Sequence, residues 1–245
     1  MSPSVAPGPV VGFDLDMTLV DSREGIAATL RAALAEVGVE VTPEQAWPYA
    51  GLPLEDTVQG LAPGLDDARV AAVSARYKEL YPSLGVASVR SFPGAAAALS
   101  AAAAHGGRSV VVSAKHAPNV HRVLASAGLA GAVEPGDVAG DLFGEAKGPR
   151  LAELGATAYV GDHPGDVRAA RVAGAVAVGV TTGAHDASAL RRAGADVVLA
   201  SLDVFPAWLA GHAAELASAA GAPPSDRARR EPAAPDVEGP ARADE

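Results

Sequence analysis

The sequence predicts an α/β protein with an open, doubly wound parallel sheet and a helical bundle inserted after the first strand. The sheet is predicted by short apolar runs that alternate with helix-like segments along most of the chain. The insertion is predicted because this alternation breaks between about residues 22 and 90, where apolar residues recur at helical spacing instead.

The predicted sheet strands are nearly continuous in hydrophobicity, as expected of parallel strands covered on both faces. They are the runs PVVGFD, RSVVVSA, ATAYVGD, AVAVGVTTG and ADVVLAS. The helices between them include APNVHRVLASAG, GPRLAELG, PGDVRAARVAG and DASALRRAG, and each ends at a glycine suited to a helix C-terminus. In such sheets, ligands bind beyond the carboxyl ends of the strands.

The inserted bundle is predicted from two amphipathic segments, REGIAATLRAALAEVG and DDARVAAVSARYKELY. In the first, Ile26, Leu30 and Leu34 repeat at helical spacing. We therefore assign residues 8–21 and 91–218 to the sheet domain and residues 22–90 to the bundle. Residues 219–245 are rich in Pro, Ala and charge without apolar periodicity, which predicts a disordered tail.

Composition excludes several classes of function. The chain has 245 residues, of which 49% are hydrophobic, and it contains no cysteine, which excludes disulfides and thiolate chemistry. A formal charge of −10 argues against a nucleic-acid or acidic-membrane surface. Because neither a secretory signal nor an apolar run of about 18 residues is found, we expect a cytoplasmic protein. The oligomeric state is unknown at this point.

Polar residues follow several of the predicted strands at the point where each strand ends. They are Asp14 and Asp16, Ser113, and Asp162 with Asp166; Lys147 precedes the helix that leads to the last pair. All of these residues should meet at one edge of a parallel sheet. Isolated buried carboxylates cost several kcal/mol, so this edge should also hold cations.

The chemistry that needs this set is phosphoryl transfer through a covalent aspartyl phosphate. Asp14 would be the nucleophile and a Mg²⁺ ligand, and Asp162 would be a further ligand. Asp16 would protonate the leaving alcohol and then deprotonate the attacking water. Ser113 would donate a hydrogen bond to the phosphate, and Lys147 would neutralise charge on the nucleophile and the phosphate.

Two further residues could belong to this set. Asp166 lies one helical turn beyond Asp162 and could orient a metal-bound water or Lys147. Lys115, in SAKHAPN, could reach the phosphate, although a surface position is expected of it. It is one of only three lysines in the chain.

These residues resemble the four motifs of the haloacid dehalogenase (HAD) superfamily, in the same order along the chain. DLDMT fits the Asp-x-Asp-x-Thr pattern of its phosphatases through Asp14, Asp16 and Thr18. The resemblance implies a Rossmann-like core, Mg²⁺, an aspartyl-phosphate intermediate and a backbone-carbonyl metal ligand at Asp16. It also places Thr18 with Ser113 and Lys147 in phosphate binding.

The same resemblance identifies the inserted bundle as an α-helical cap. GLPLEDTV, residues 51–58, is similar to the cap segment that helps to select substrate in phosphoglycolate-phosphatase-like members. The third motif departs from the Lys-Pro of many such members, because here Gly148 separates Lys147 from Pro149. The exact subfamily is therefore open.

The leading hypothesis is a Mg²⁺-dependent phosphatase acting on a small phosphorylated substrate such as phosphoglycolate, a sugar phosphate or a nucleotide. A phosphomutase of the same fold would share the paired aspartates, although Thr18 favours hydrolysis. A 2-haloacid dehalogenase would lack an acid at the position of Asp16, and a phosphonate-cleaving relative would need an earlier lysine in the cap. Outside enzymes, the alternatives are a phospho-accepting signalling module and a binding protein without catalytic activity.

Overall fold

The computed structural model describes residues 8–221. The strands are β1 Val10–Phe13, β2 Val20–Asp21, β3 Arg90–Ser91, β4 Arg108–Val112, β5 Val138–Ala139, β6 Ala158–Gly161, β7 Val176–Val180 and β8 Val197–Leu199. The helices are α1 Arg23–Ala35, α2 Pro43–Ala46, α3 Leu54–Leu61, α4 Asp67–Leu84, α5 Ala95–Ala101, α6 Ala117–Ser126, α7 Lys147–Glu153, α8 Pro164–Ala173, α9 Ala187–Arg192 and α10 Phe205–Gly221.

The main sheet has six parallel strands in the order β5-β4-β1-β6-β7-β8. The first strand, β1, lies inside the sheet and pairs with β4 on one side and β6 on the other. The chain therefore builds outwards in both directions from β1, which is the doubly wound arrangement that the sequence predicts. The predicted fold class, a Rossmann-like parallel sheet with surrounding helices, is confirmed.

The two faces of the sheet are covered by different helices. Side chains alternate along each strand, so Phe13 and Val160 join one cluster while Tyr159 joins the other. The first face carries α10, whose Phe205 packs edge to face on Phe13 with ring centroids 5.2 Å apart. The second face is packed against α7, α8 and α9. Both faces are thus buried, as the continuous apolar runs predict.

The structure also contains three strands that the sequence analysis does not predict. The edge strand β5 has two residues, and β2 pairs antiparallel with β3 in a separate two-stranded sheet. Because Val20 pairs with Ser91, this small sheet lies where the chain leaves the core and where it returns. The sequence analysis does not predict this pair of strands, because two-residue strands have no detectable periodicity.

Helices α1 to α4 lie within the segment that the sequence assigns to the cap. The longest two, α1 and α4, pack along each other. Gly25 in α1 permits a close approach, since a Cβ atom there would lie 2.1 Å from the carbonyl oxygen of Gly85. The domain boundaries at residues 21/22 and 90/91 stay predictions.

The described chain ends in α10, which extends to Gly221 and so includes the first three residues of the predicted tail. The rest of that tail lies outside the described residues. Among residues 8–221, no helix has both the length and the apolar character that crossing a membrane requires.

Candidate active site

The candidate site lies at the carboxyl end of β1, where the sheet builds outwards in two directions. Asp14 directly follows β1, Ser113 follows β4, and Asp162 follows β6. Since β4 and β6 are the two neighbours of β1, the residues that follow these three strands must lie side by side. The sheet order therefore explains why residues about 50 to 150 positions apart meet.

Lys147 connects two of the buried carboxylates. Its Nζ lies 3.0 Å from Asp14 Oδ1 and 2.7 Å from Asp166 Oδ1, and its side chain is 2% exposed. It is the first residue of α7, directly after a 3-10 turn. The ammonium group is thus placed against the predicted nucleophile, as phosphoryl transfer requires.

Asp14, Asp162 and Asp166 form a compact group of oxygen donors. One carboxylate oxygen from each lies within 4.8 Å of the others, and all three residues are buried. The other oxygen of Asp166 accepts the backbone N–H of His163 at 3.1 Å, which fixes its orientation at the start of α8. This set of hard oxygen ligands suits a divalent cation such as Mg²⁺.

The hydroxyl of Thr18 has a protein partner within the site. This fully buried hydroxyl donates to Asp162 Oδ1 at 2.8 Å. The hydroxyl therefore orients a candidate metal ligand, and the predicted contact of Thr18 with phosphate stays a prediction. Ligand-orienting contacts of this kind tune metal sites.

The charge balance of the site is negative. Four buried carboxylates, of Asp14, Asp16, Asp162 and Asp166, face the two ammonium groups of Lys115 and Lys147. Burial raises the pKa of Asp14 to about 7, although attraction to Lys147 opposes this. Burial, together with repulsion from Asp166 and Asp14, also raises the pKa of Asp162 well above its usual value. The residues present therefore fit a divalent cation, which would neutralise the excess negative charge.

Lys115 is not at the surface, contrary to the expectation from sequence. Its side chain is 7% exposed, and its Nζ lies 3.1 Å from Asp16 Oδ2 and donates to the hydroxyl of Tyr81 at 3.0 Å. Burial lowers the pKa of Lys115, but Asp16, Tyr81 and Tyr77 outweigh burial and raise it above its usual value. Residues after β4 lie at the same sheet edge as Asp16, which is why Lys115 reaches it.

Ser113 lies between β4 and Lys115, and the residue is 1% exposed. Its Oγ accepts the backbone N–H of Lys115 at 3.2 Å. That bond uses the oxygen as an acceptor, so the hydroxyl proton stays free to be donated. This geometry is compatible with the predicted donation to a phosphate oxygen.

The loop after β1 is held in an uncommon backbone conformation. Met17 has a positive φ of 61°, a region that costs energy for a residue with a side chain. Its N–H donates to the carbonyl of Val20 at 2.8 Å, and its carbonyl accepts the hydroxyl of Thr182. The tight turn places Asp16 and Thr18 beside the site, and no pattern in the sequence indicates it.

Two cavities flank the paired aspartates. The metal-side cavity, of about 240 Å³, is lined by Asp14, Lys147, Asp162, His163, Asp166 and His185, among others. The cap-side cavity, of about 180 Å³, is lined by Asp16, Leu52, Leu54, Tyr81, Lys115 and Phe143, among others. Residues 51–55 of the GLPLEDTV segment line the cap-side cavity, which is where a substrate-selecting segment would be expected.

Gly51 brings this segment of the predicted cap close to the loop after β1. Its φ of 88° favours glycine, and a Cβ atom there would lie 4.0 Å from the carbonyl oxygen of Asp16. The predicted cap and the predicted core therefore meet directly over the paired aspartates.

The fold and this site define an α/β protein with a Rossmann-like core and a buried acidic site. Comparison with known proteins agrees: residues 11–171 match the model of the haloacid dehalogenase-like hydrolase family. The chain is 32% identical to the Probable phosphatase IndB of Dickeya dadantii over 78% of this chain and 89% of that protein. It is 31% identical to the Phosphoglycolate phosphatase of Yersinia pseudotuberculosis, over 80% of this chain and 91% of that protein.

A solved structure shares the fold. The crystal structure of a predicted phosphatase from Clostridium acetobutylicum superposes with a TM-score of 0.73 and 23% identity, covering 84% of this chain and all of that one. The chain therefore belongs to the haloacid dehalogenase-like hydrolase family, and within it the chain is a phosphoric monoester hydrolase.

Proposed function

We propose that this protein is a Mg²⁺-dependent phosphatase that hydrolyses a small phosphate monoester through an aspartyl phosphate on Asp14. The observation that carries the proposal is the Lys147 ammonium, which lies 3.0 Å from Asp14 and 2.7 Å from Asp166 beside Asp162. A carboxylate can attack an anionic phosphate only where their repulsion is relieved. Lys147 supplies one positive charge beside Asp14, and Asp162 and Asp166 would help to hold a divalent cation that supplies more.

In the first half of the reaction, Asp14 attacks the phosphorus atom and the bond to the leaving oxygen breaks. Asp16 donates a proton to that oxygen, and Ser113 and Lys147 stabilise charge on the phosphoryl group. In the second half, Asp16 removes a proton from the attacking water, and inorganic phosphate leaves while Asp14 regains its carboxylate. Burial of the site excludes competing water during transfer.

Asp14, Asp162 and Asp166, together with the backbone carbonyl of Asp16, are the groups that would hold Mg²⁺. When bound, the ion would neutralise charge on the phosphoryl oxygens. The structure supports a larger role for Asp166 than the sequence suggests, because its carboxylate is grouped with those of Asp14 and Asp162. Its bond to Lys147 also supports the predicted role of orienting that lysine.

The cap-side cavity and the names of the relatives support a small phosphate monoester as the substrate. The cap-side cavity of about 180 Å³ beside Asp16 has room for a small leaving group. One relative is named a phosphoglycolate phosphatase, so phosphoglycolate is the first ester to test, followed by sugar phosphates and nucleotides. A cytoplasmic location stays a prediction from the composition.

The proposal is tested with a panel of small phosphate monoesters, assayed for phosphate release with and without Mg²⁺. We expect release from at least one ester that depends on the divalent cation and stops when a chelator is added. Equal release after complete removal of divalent cations would contradict the metal requirement, and no release from any ester would contradict the phosphatase assignment.

Gly183 provides a test of the metal site that does not remove a ligand. A Cβ atom there would lie 1.8 Å from Asp162 Oδ2, so the carboxylate must move in the Gly183→Ala variant. Disturbed ligand orientation typically costs metal sites 10- to 100-fold in affinity, so we expect Mg²⁺ binding to weaken by about tenfold or more. Isothermal titration calorimetry measures the change.

The matched control for this variant is Gly211→Ala in α10, where an added Cβ atom meets no other atom within 4 Å. We expect its Mg²⁺ affinity to equal that of the wild type. Unchanged affinity in Gly183→Ala as well would show that Asp162 is not a metal ligand.

A further inference from the structure

The cap contributes a tyrosine to the surroundings of Asp16. Tyr81, in α4, is fully buried, and its hydroxyl accepts a hydrogen bond from Lys115 Nζ at 3.0 Å. The same Nζ lies 3.1 Å from Asp16 Oδ2. A continuous polar connection thus leads from a cap helix, through a lysine of the core, to the residue that acts as the general acid and base in the proposed function.

This connection involves only one of the two carboxylate oxygens of Asp16. Asp16 Oδ1 is buried and has no hydrogen-bond partner within residues 8–221. Buried carboxylate oxygens are almost always bonded, so an unpartnered one indicates a group whose partner arrives with a ligand. Asp16 lines the cap-side cavity, where the leaving group would lie.

We propose that Lys115 and Tyr81 are positioning residues that hold Asp16 by its Oδ2 atom, so that Oδ1 faces the leaving oxygen of the substrate. Lys115 keeps its proton throughout. The proton on Asp16 moves to the leaving oxygen as the bond from that oxygen to phosphorus breaks, and the bonding electron pair stays on the oxygen. Because Tyr81 belongs to the cap, Asp16 is fully oriented only when the cap lies against the core.

Packing alone does not explain why the ammonium group of Lys115 and the hydroxyl of Tyr81 lie buried against each other. The ring of Tyr81 already packs at a tilt against Tyr77, with centroids 5.4 Å apart, and the ring of a phenylalanine would do the same. Burying an ammonium group and a hydroxyl between cap and core carries a desolvation cost that an apolar contact would avoid. The hydroxyl of Tyr81 is therefore best explained by its bond to Lys115.

The backbone around Lys115 ties this positioning to the phosphate site. The N–H of Lys115 donates to Ser113 Oγ at 3.2 Å. One short segment after β4 thus orients both the predicted phosphate donor, Ser113, and the general acid, Asp16. The leaving oxygen lies between the phosphorus atom and Asp16, so both groups must be placed together.

The test compares Tyr81→Phe with the wild type on phenyl phosphate and p-nitrophenyl phosphate, two esters of similar shape. Phenoxide is a poor leaving group that needs a proton, whereas p-nitrophenoxide leaves readily without one. General acid catalysis supplies roughly 10²–10⁴-fold in rate, so we expect imperfect placement of Asp16 to lower kcat/KM for phenyl phosphate by about tenfold. The loss for p-nitrophenyl phosphate should be below about threefold.

Two further variants separate positioning from structural damage. Arg76→Met removes an exposed cation of α4 that pairs with Glu36 and Glu79, and it should change neither reaction. In an Asp16→Asn background, Tyr81→Phe should cause no additional loss, because the group that it positions has already been disabled. Equal losses on both esters, no loss on phenyl phosphate, or full additivity with Asp16→Asn would each overturn the proposal.

The inference rests on the proposed function, and the two can fail separately. If the wild type showed no hydrolysis that depends on Asp14, the proposed function would fail. If hydrolysis depended on Asp14 while Tyr81→Phe left the ratio of the two esters unchanged, only the positioning proposal would fail.

Discussion

Replacement of Asp14 by asparagine is expected to abolish turnover while the protein stays folded. The amide has the size of the carboxylate but cannot form the acyl phosphate, so kcat should fall by at least about 10⁴-fold, the scale seen when hydrolases lose a nucleophile. The fold should tolerate the change, because burial already raises the pKa of Asp14 to about 7 and a neutral side chain suits this position. Phosphate release and thermal unfolding measure the two effects.

A trapping experiment tests directly whether Asp14 is the nucleophile. Wild-type enzyme quenched in acid during turnover of a radiolabelled ester should carry label on the protein, and Asp14→Asn should carry none. Asp67→Asn, an exposed position at the start of α4, is the matched control and should be labelled like the wild type. Normal turnover by the Asp14 variant would show that another group is the nucleophile.

The main sheet could be predicted from the sequence because its strands are buried on both faces. Five of its six strands appear as unbroken apolar runs, and the glycines after the helices, such as Gly155 and Gly174, adopt the predicted positive φ values of 74° and 70°. The strands β2, β3 and β5 could not be predicted, because a strand of two residues is too short to show a hydrophobic periodicity. Their pairing depends on neighbours that are distant in sequence.

The candidate site was predicted as a set of strand ends, and that is the part the structure brings together. Asp14, Lys147, Asp162 and Asp166 contact one another or lie in one group. The alternating pattern predicts parallel strands, and the carboxyl ends of parallel strands share one edge of the sheet. The partners of Thr18 and Lys115 could not be predicted in this way. They depend on side-chain directions and, for Lys115, on a cap helix whose placement the pattern does not specify.

The pocket residues that sequence reasoning missed have weak local signals. Tyr81 belongs to an ordinary helical stripe that begins with Val70, so its pattern indicates burial and says nothing about its hydroxyl. Gly183 follows β7 in a stretch with turn-forming residues, where a glycine is common. Only the order of strands could have drawn attention to it, since the loop after β7 lies next to the loop that carries Asp162.

The second large effect is expected at Lys147. Replacing it with methionine keeps the length of the side chain but leaves Asp14 and Asp166 without their buried cation. Breaking a buried pair in this way costs about 3–5 kcal/mol, measured by urea unfolding without metal. The activity should also fall, by about 10²-fold or more, because charge on the phosphoryl group is no longer neutralised.

Adding Asp166→Asn to the Lys147→Met variant should restore part of the stability but none of the activity. The control variant Arg150→Met, at an exposed side chain of the same helix, should cost less than about 1 kcal/mol. A Lys147→Met protein with wild-type turnover would remove the lysine from the mechanism.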